Sequence, residues 1–460
     1  MRNLESIFLS LLFASLFTGC AQQQSEGIYQ ARHSDIYNSQ VDSISEQTNK
    51  HQEEIVSVTE PDDVLILRQA LALTLMHNPE LKVFSLETRA AGARELQAGL
   101  WPNPEIEIEA ENLGGTGELS GFDSAETTIQ LSQLIELGNK SKKRKKVASF
   151  ENELAGLDFQ NKKLKIFSEA TKAFISVLKA QEKLQLSNEL LKLSKESFET
   201  VEKRVNAGKD SPVEKKRASV ALANIKISHQ QAQRNLKYAR KQLASFWGQD
   251  KPLFKQATGN LDKIEELSEL NNLTSQLETN PEYIRSEAQI KKSQAVLDLE
   301  KAKAVGDVSI GAGLKRFNET DDNAFVFGIS IPLPISDRNQ GAKQEAVYNL
   351  AKSREEKKAT WLRLQNELNQ TYLEFANSYS QAISLKEEVL PAAIEMFNAA
   401  TRAYQEGKVD YLNVLDAQRT LFDVKNEYIE SLAAYHIAKT DIERFISNQN
   451  QTVNFSESEE

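Results

Sequence analysis

The side chains most often used in chemistry are few in this sequence and lie far apart. The histidines are His33, His51, His77, His229 and His436. None neighbours another histidine or the single cysteine at the spacing that metal ligands need. The sequence also lacks Gly-x-Ser-x-Gly, His-Glu-x-x-His and a phosphate-binding glycine loop before Lys-Ser/Thr. We therefore expect no catalytic site, no metal centre and no cofactor, and we do not expect an enzyme.

The single cysteine, Cys20, ends an N-terminal segment suited to export. Residues 7–17 are apolar but too short to cross a bilayer as a helix, which favours a secretory signal over 1–19. Thr18-Gly19-Cys20 resembles a bacterial lipoprotein box, in which the cysteine becomes the acylated first residue. An ordinary signal peptide with an incidental cysteine is the alternative. We expect lipid attachment at Cys20 and a polar, extended tether over 20–61.

Two charged runs are candidate ligand surfaces. From Glu105 to Glu111 glutamates alternate with Ile106, Ile108 and Ala110, so the acids share one face of a strand. These acids would line a lumen if Ile106 and Ile108 face lipid, and an edge strand with one wet face is the alternative. The basic run from Lys140 to Lys146 would meet lipid phosphates at the inner rim of a barrel, or form a solvated helix face.

The alternation of residue character with a period of two residues, which is typical of β-strands, occurs in four segments. Two of them, at about 105–111 and 125–134, flank a glycine-rich loop, and two more flank a polar loop at 317–323. In the last segment Phe325 and Phe327 share one face with other apolar residues. Each segment has about 8 to 10 residues, the length of a tilted strand that crosses a bilayer. Since even small closed barrels have about eight strands, several chains must pool theirs if these strands cross a membrane.

Long helices must position these strands. From Lys140 to Asn206 apolar residues recur at spacings of three and four, without proline. A continuous helix over those 67 residues would be about 100 Å long. A second helical pattern runs from Gln340 to Glu406, and the two patterns end at Gly208 and Gly407, as helix C-caps require. A returning helix follows each glycine, so we expect a rod-like assembly of helices.

Paired markers indicate an internal duplication. Asn78-Pro79-Glu80 recurs as Asn280-Pro281-Glu282, at an offset of about 200 residues that is far longer than in solenoid repeats. We predict a first repeat over 62–247, an equatorial linker over 248–275, a second repeat over 276–447 and a disordered tail over 448–460. The predicted fold class is mainly α with a small β part.

The amino-acid composition supports this fold and limits the classes of partner molecule. Charged residues make up 27% and aromatic residues 7%, a profile typical of long helices. The formal net charge of −10 argues against nucleic acid as a partner. After the N-terminal segment no run of about 20 apolar residues occurs, so we predict no transmembrane helix there.

Five short motifs occur in order and carry a family resemblance. They resemble the TolC-type outer-membrane efflux family over residues 62–446, and within it the heavy-metal, CzcC-like and CusC-like branch. Where that branch usually has two glycines after Glu-Leu, this chain has Gly138-Asn139. The motifs are Asn78-Pro79-Glu80-Leu81, Pro102-Asn103-Pro104-Glu105, Glu111-Asn112-Leu113-Gly114-Gly115, Ala125-Glu126-Thr127-Thr128 and Glu136-Leu137-Gly138-Asn139-Lys140.

The resemblance implies an architecture and a set of partners. Channels of that family are homotrimers, in which each chain gives four strands to one 12-stranded outer-membrane β-barrel that continues as a long periplasmic α-helical barrel. It implies a passive conduit for heavy-metal cations in a tripartite efflux system, with a periplasmic adaptor protein and an inner-membrane RND pump. The implied location is the outer membrane, lipid-anchored and extending into the periplasm.

The resemblance also assigns residues at the far end of the helices. Gly208, Lys209, Gly407 and Lys408 would mark the periplasmic turns where the adaptor docks. The segment from Gly407 to Ala417 is similar to the family's tip segment, whose two acids ring the tunnel entrance. Asp416 matches the second acid and Asn413 replaces the first, so the ring would carry about half the usual charge. An acid favoured by the helix dipole is the alternative for Asp416.

Two other functions remain open at this point. A channel of the same fold that exports organic compounds or proteins would have the same elements, because the inner-membrane pump largely chooses the cargo. A periplasmic coiled-coil adaptor or scaffold lipoprotein would explain the helices and the anchor. It would not explain two hairpins with apolar alternation.

Overall fold

The computed structural model describes residues 59–266 and 269–446. By internal contacts the chain divides into Met1–Thr59 and Glu60–Glu460, and every described residue except Thr59 belongs to the second unit. The predicted signal, Cys20, most of the predicted tether and the predicted tail lie outside the described residues. Those assignments stay predictions.

The described part is mainly α-helical with a small β part, as predicted. None of its helices combines the length and the apolar composition that crossing a membrane requires. The helices are α1 (Leu67–His77), α2 (Pro79–Ala98), α3 (Lys140–Asn206), α4 (Pro212–Ala244), α5 (Leu270–Gln276), α6 (Pro281–Lys303), α7 (Gln340–Ser384), α8 (Leu390–Gln405) and α9 (Tyr411–Ile446). The strands are β1 (Val64–Ile66), β2 (Glu105–Glu111), β3 (Glu126–Ile135), β4 (Gln256–Thr258), β5 (Val308–Phe317) and β6 (Asp322–Ser330).

The first long helix, α3, has the predicted bounds. It runs for 67 residues without a break, so it is about 100 Å long. Near the sheet it packs between α2 and α6, and its later turns pack against α4 and α9. Leu154, Phe174 and Leu178 are among its buried side chains, and each such burial contributes about 1.5–3 kcal/mol.

The second long helix is not a uniform α-helix. It runs as α7, then a π-helical turn over Leu385–Val389, then α8. Pro391 lies at the start of α8, where it has no amide hydrogen to donate and its ring crowds the carbonyl one turn earlier. A wider turn accommodates that crowding, since π-bulges are one of the known ways to relieve a break in the α-helical ladder. The helix predicted from Gln340 to Glu406 therefore has the correct extent, but the prediction did not include the π-helical turn.

The two repeats use the same caps. Asn78 accepts a hydrogen bond from the amide of Leu81 and donates one of 2.8 Å to the carbonyl of Phe246. Asn280 accepts from the amide of Glu282 and donates one of 3.0 Å to the carbonyl of Phe445. Each asparagine thus begins one helix and fastens it to the end of the returning helix of its own repeat.

The predicted strands form one antiparallel sheet in the order β2-β3-β5-β6. Each hairpin belongs to one repeat, and the two hairpins meet where β3 pairs with β5. Strand β6 begins at Asp322, so the loop before it is shorter than the predicted 317–323. The sheet lies at one end of the long helices, because β3 leads into α3 through residues 136–139 and β6 leads into α7 through residues 331–339.

A second, two-stranded sheet was not predicted. Strand β1 pairs in parallel with β4, and Leu65 pairs with Ala257. Strand β1 lies in the predicted first repeat, whereas β4 and most of α5 lie in 248–275, the predicted equatorial linker. Strands of three residues are too short to show a period of two, so burial of Leu65 and Ala257 decides their conformation.

Candidate functional site at the helical turns and the strand faces

The turns at Gly208 and Gly407 have the same geometry. Both glycines have positive φ, 70° and 74°, which side chains other than glycine rarely adopt. After α3, the amide of Lys209 donates to the carbonyl of Arg204 at 2.8 Å. After α8, the amide of Lys408 donates to the carbonyl of Ala403 at 2.9 Å. These are Schellman caps, and they end both helices so that the chain reverses at once.

The two turns lie together. Val201 and Ala218 from the first repeat pack with Tyr404, Tyr411 and Val414 from the second in one buried cluster. The rings of Tyr404 and Tyr411 are 5.7 Å apart between centroids. The structure therefore brings Gly208, Lys209, Gly407 and Lys408, which the sequence places in two distant segments, to one end of the molecule.

A polar clamp, formed by Arg204, Asp210 and Tyr404, joins the two turns. The guanidinium of Arg204 donates to both carboxylate oxygens of Asp210, at 2.9 and 3.1 Å. The hydroxyl of Tyr404 donates to the same carboxylate at 2.5 Å, and the guanidinium carbon of Arg204 lies 4.5 Å from the centre of the tyrosine ring. The clamp thus links the first repeat to the second through one carboxylate.

The clamp changes the acidity of its members. The hydrogen bond from Arg204 lowers the pKa of Asp210 below its ordinary value, because it stabilises the charged carboxylate. Burial raises the pKa of Tyr404, and its bond to Asp210 adds to that rise because it stabilises the protonated phenol. At neutral pH the clamp therefore holds a charged arginine, a charged aspartate and a neutral tyrosine.

Sequence reasoning missed the clamp. Arg204 and Asp210 flank Gly208 closely, so the turn alone would have suggested that pair. Nothing in the sequence links that pair to Tyr404, which belongs to the other repeat. The contact depends on how α3 and α8 pack, and local patterns do not encode that.

The two lysines of the turns are exposed. The Nζ atom of Lys408 lies 2.5 Å from a carboxylate oxygen of Glu406. Lys209 has no ion pair with any described residue. Both side chains are therefore accessible at the end of the molecule.

Asp416 and Asn413 lie on the exposed side of α9. Asn413 donates a long hydrogen bond of 3.4 Å to the carbonyl of Asp410, and the carboxylate of Asp416 has no ion pair within the described residues. Helix α9 begins at Tyr411, so Asp416 is past the first turn, where a helix dipole favours an acid most. The dipole alternative for Asp416 is therefore weakened, whereas the entrance-ring role stays a prediction.

The sheet has one strongly apolar face. Ile106, Ile108, Phe325 and Phe327 all lie on it, with exposed fractions of 73%, 69%, 77% and 80%. So much exposed apolar surface on one face needs a cover of lipid or protein. Two rows of paired residues cross all four strands: Ile106–Leu131–Ala312–Phe327 and Ile108–Ile129–Leu314–Phe325.

The opposite face of the sheet is polar. Lys315 bonds to the carboxylates of Glu111 and Glu126 on the neighbouring strands. Gln130 lies flat over glycines, and a Cβ on Gly311 would be only 2.2 Å from its Nε2 atom. The strand acids share this face, so the alternation predicted from the sequence separates a polar side from an apolar side.

The whole arrangement matches known proteins. Residues 70–249 and 272–447 match the family described as outer membrane efflux protein. The chain is 34% identical over 382 residues to the cobalt-zinc-cadmium resistance protein CzcC of Cupriavidus metallidurans, covering 83% of this chain and 90% of CzcC. It is 22% identical over 387 residues to the cation efflux system protein CusC of Escherichia coli, covering 79% and 82% of the two chains.

Solved structures share the fold. The outer-membrane channel OprN superposes with a TM-score of 0.69 at 21% identity, covering 83% of this chain and 89% of OprN. A crystal structure of CusC superposes with a TM-score of 0.65 at 18% identity, covering 83% and 92%. The family resemblance carried by the short motifs is confirmed, and this chain belongs to the outer membrane efflux protein family.

Proposed function

We propose that this protein is the outer-membrane channel of a tripartite efflux system and that it exports heavy-metal cations from the periplasm. The observation that carries the proposal is the 34% identity to a cobalt-zinc-cadmium resistance protein over 90% of that protein's length. The proposed cargo, heavy-metal cations, is inferred from that sequence similarity. The absence of catalytic motifs in the sequence fits a passive conduit whose energy comes from a partner.

The sheet supports a trimeric barrel. Within the described residues β2 and β6 are the edges of the sheet, and neither has a partner on its outer side. A membrane tolerates strands only in a closed barrel, since unpaired backbone groups in lipid cost several kcal/mol each. Three copies placed side by side give a closed ring of 12 strands if β6 of one copy pairs with β2 of the next. The apolar face would then meet lipid, and the polar face would line the lumen.

The helices support a periplasmic tunnel. They extend from the sheet to the turns at Gly208 and Gly407, and these turns would form the periplasmic end of the channel. The exposed side chains of Lys209 and Lys408 suit docking of a periplasmic adaptor, which in turn would connect to an inner-membrane RND pump. Lipid at Cys20 would add a second attachment to the outer membrane.

The tunnel entrance would carry a ring of acids. In a three-fold assembly Asp416 occurs three times around one axis. Each pair of like charges at about 6 Å costs roughly 3 kcal/mol at an effective dielectric constant of about 20. Such a ring needs water or cations nearby, so it would favour cation passage. Neutral Asn413 reduces the repulsion and makes a narrow entrance easier to form.

Deletion of the gene tests the cargo. The deletion strain should become sensitive to cobalt, zinc or cadmium salts, and the gene on a plasmid should restore growth. A plasmid carrying Asp416→Ala should restore less metal resistance than one carrying the control Asp423→Asn, an exposed acid further along α9.

A second panel of compounds separates the alternatives. If deletion leaves metal tolerance unchanged but sensitises the cells to dyes, detergents or antibiotics, the cargo is organic and the metal assignment is wrong. If the purified protein forms no barrel and acts only as a periplasmic scaffold, the channel assignment itself fails.

A further inference from the structure

The basic run at the start of α3 contains two cations paired inside the protein, three exposed lysines and the half-buried Lys143. Lys140 is buried, and its Nζ atom lies 2.7 Å from the carboxylate of Asp307. Arg144 donates to the carboxylate of Glu136 at 2.6 Å and to the carbonyl of Ala98 at 2.8 Å. These two cations fasten the first turn of α3 to its neighbours, so their charges are used inside the protein.

Lys142, Lys145 and Lys146 behave differently. All three are exposed, and none has an ion pair with a residue in 59–266 or 269–446. Their spacing of three and four places them side by side on one face of the helix, with Cβ atoms about 5–6 Å apart. Three uncompensated positive charges on one face attract a partner that carries negative charge.

The three lysines face away from a groove that lies between the helices. Further along α3, Asp158, Lys162 and Lys165 line a groove that α2, α6 and α7 share. A helix advances about 100° per residue, so the three lysines lie roughly 180° around α3 from that groove. They are therefore on the face of α3 that is turned away from this groove.

Exposed apolar residues lie at the same level. The connector between β6 and α7 exposes Leu333 and Ile335 by 75% and 72%, and Trp101 after α2 is 65% exposed. A Cβ on Gly306 would be 2.8 Å from Pro332, which places this connector against the residue next to Asp307. A Cβ on Gly99 would be 3.2 Å from Cδ of Lys145, so the stem of Lys145 lies close to the segment that carries Trp101.

The depth of these residues fits the head groups of a membrane. Strand β3 has 10 residues and, when tilted, spans the apolar band of about 25 Å that outer-membrane barrels present. The head-group region adds about 5–7 Å on each side of the hydrocarbon. From Lys140 to Lys146 the helix rises about 9 Å, and α3 begins only a few residues after β3 ends. The lysines thus lie just past the apolar band, at head-group depth.

We infer that Lys142, Lys145 and Lys146 bind anionic phospholipid head groups in the periplasmic leaflet of the outer membrane. The inference rests on the proposed function for the placement of the sheet in that membrane and for the outward direction of the face of α3 that carries the three lysines. The lysine ammonium groups would contact lipid phosphates while Trp101, Leu333 and Ile335 contact the upper acyl chains. At the positions 200 residues after the three lysines the second repeat has Ala342, Glu345 and Ala346, so it lacks this basic surface.

Native mass spectrometry of the delipidated trimer tests the inference. The protein is titrated with phosphatidylglycerol or with phosphatidylcholine, and the wild type is compared with Lys142→Gln/Lys145→Gln/Lys146→Gln. Each lysine near an anionic surface contributes about fivefold in affinity, so the triple variant should bind phosphatidylglycerol at least about tenfold more weakly. Binding of phosphatidylcholine should not change. Replacing the same lysines with arginine should preserve the preference.

A matched variant controls for net charge. Lys192, Lys195 and Lys226 are exposed and far along the helices, so changing them to glutamine should leave lipid binding unchanged. Equal binding of the two lipids by the wild type, or equal loss in the control variant, would overturn the inference. Metal resistance of cells carrying the triple variant reports separately on the proposed function. A variant that forms trimers and restores resistance without a lipid preference removes only the lipid inference.

Discussion

The two repeats share their helix caps and differ in their long helices, their connectors and their returning helices. Asn78 and Asn280 each accept a hydrogen bond from an amide in the first turn of their helix and donate one to a carbonyl near the end of the returning helix. Gly208 and Gly407 end their helices in the same way. These features position helices, and duplication has preserved them. The long helices, their connectors and the returning helices have diverged, which indicates where the duplicated scaffold has changed.

The long helices and their connectors show the first difference. Helix α3 is continuous, whereas its counterpart contains the π-helical turn over Leu385–Val389. The connector from β3 to α3 is short, whereas the one from β6 to α7 is longer and exposes Leu333 and Ile335. The first repeat has Lys142, Lys145 and Lys146 where the second has Ala342, Glu345 and Ala346.

The returning helices show the second difference. Helix α4 packs mainly on α3 and exposes Val213, Val220 and Ile227 by 55%, 61% and 60%. Helix α9 packs against α3, α7 and α8 and is largely buried on that side. The exposed apolar stripe of α4 suits contact with a neighbouring copy, whereas α9 forms part of the core of its own chain.

Breaking the shared caps should have the largest effect. Asn78→Ala and Asn280→Ala each remove a helix cap and leave a backbone carbonyl without its donor, so each should lower the free energy of unfolding by about 3 kcal/mol. Urea denaturation of the detergent-purified protein measures this. The exposed Asn224→Ala serves as the control. Losses that differ strongly between the two repeats would contradict the view that the caps are equivalent.

Breaking the clamp should have a smaller effect. Asp210→Asn weakens the ion pair and leaves Arg204 partly buried without its charged partner, which should cost about 2 kcal/mol, and Tyr404→Phe should cost about 1 kcal/mol. The double variant should lose less than the sum, because both changes act on one network. Asp423→Asn, an exposed acid, is the control. Strict additivity would show that the two contacts act independently.

The pH dependence of the clamp follows from Asp210. Its pKa is lower in the folded protein than in the unfolded chain, so its stabilising effect is complete above the ordinary carboxyl pKa and is lost as the pH falls through the folded value. The stability difference between the wild type and Asp210→Asn should be constant from neutral pH to about pH 5 and shrink below about pH 4. A difference that grows on acidification would contradict the assigned ion pair.

Replacing the buried amide of Gln418 should give a small effect of the opposite sign. Neither its Oε1 nor its Nε2 atom has a hydrogen-bond partner among the described residues, and the side chain is only 2% exposed. Its counterpart in the first repeat, Ser219, is exposed. Gln418→Met removes an unpartnered polar group and should stabilise the fold by about 1 kcal/mol, measured by urea denaturation. Ser219→Met should give no gain.

Regular features with a clear period could be predicted from the sequence. The bounds of α3, the four long strands and the glycine turns follow from the apolar spacing, the alternation and the positive φ that favours glycine. Features that depend on contacts between distant segments could not be predicted. The pairing of Leu65 with Ala257 and of Tyr404 with Asp210 arises from packing, and the π-helical turn reflects a local adjustment at Pro391.

Planar-bilayer recording of the purified protein tests the central claim most directly. Our account predicts trimers in mild detergent that give discrete, cation-selective conductance steps, with divalent metal reducing the current through the wild type more than through Asp416→Ala. The control Asp423→Asn should behave like the wild type. A monodisperse monomer that never conducts would contradict the pooled barrel. A conducting trimer whose selectivity and block do not change in Asp416→Ala would contradict the entrance ring.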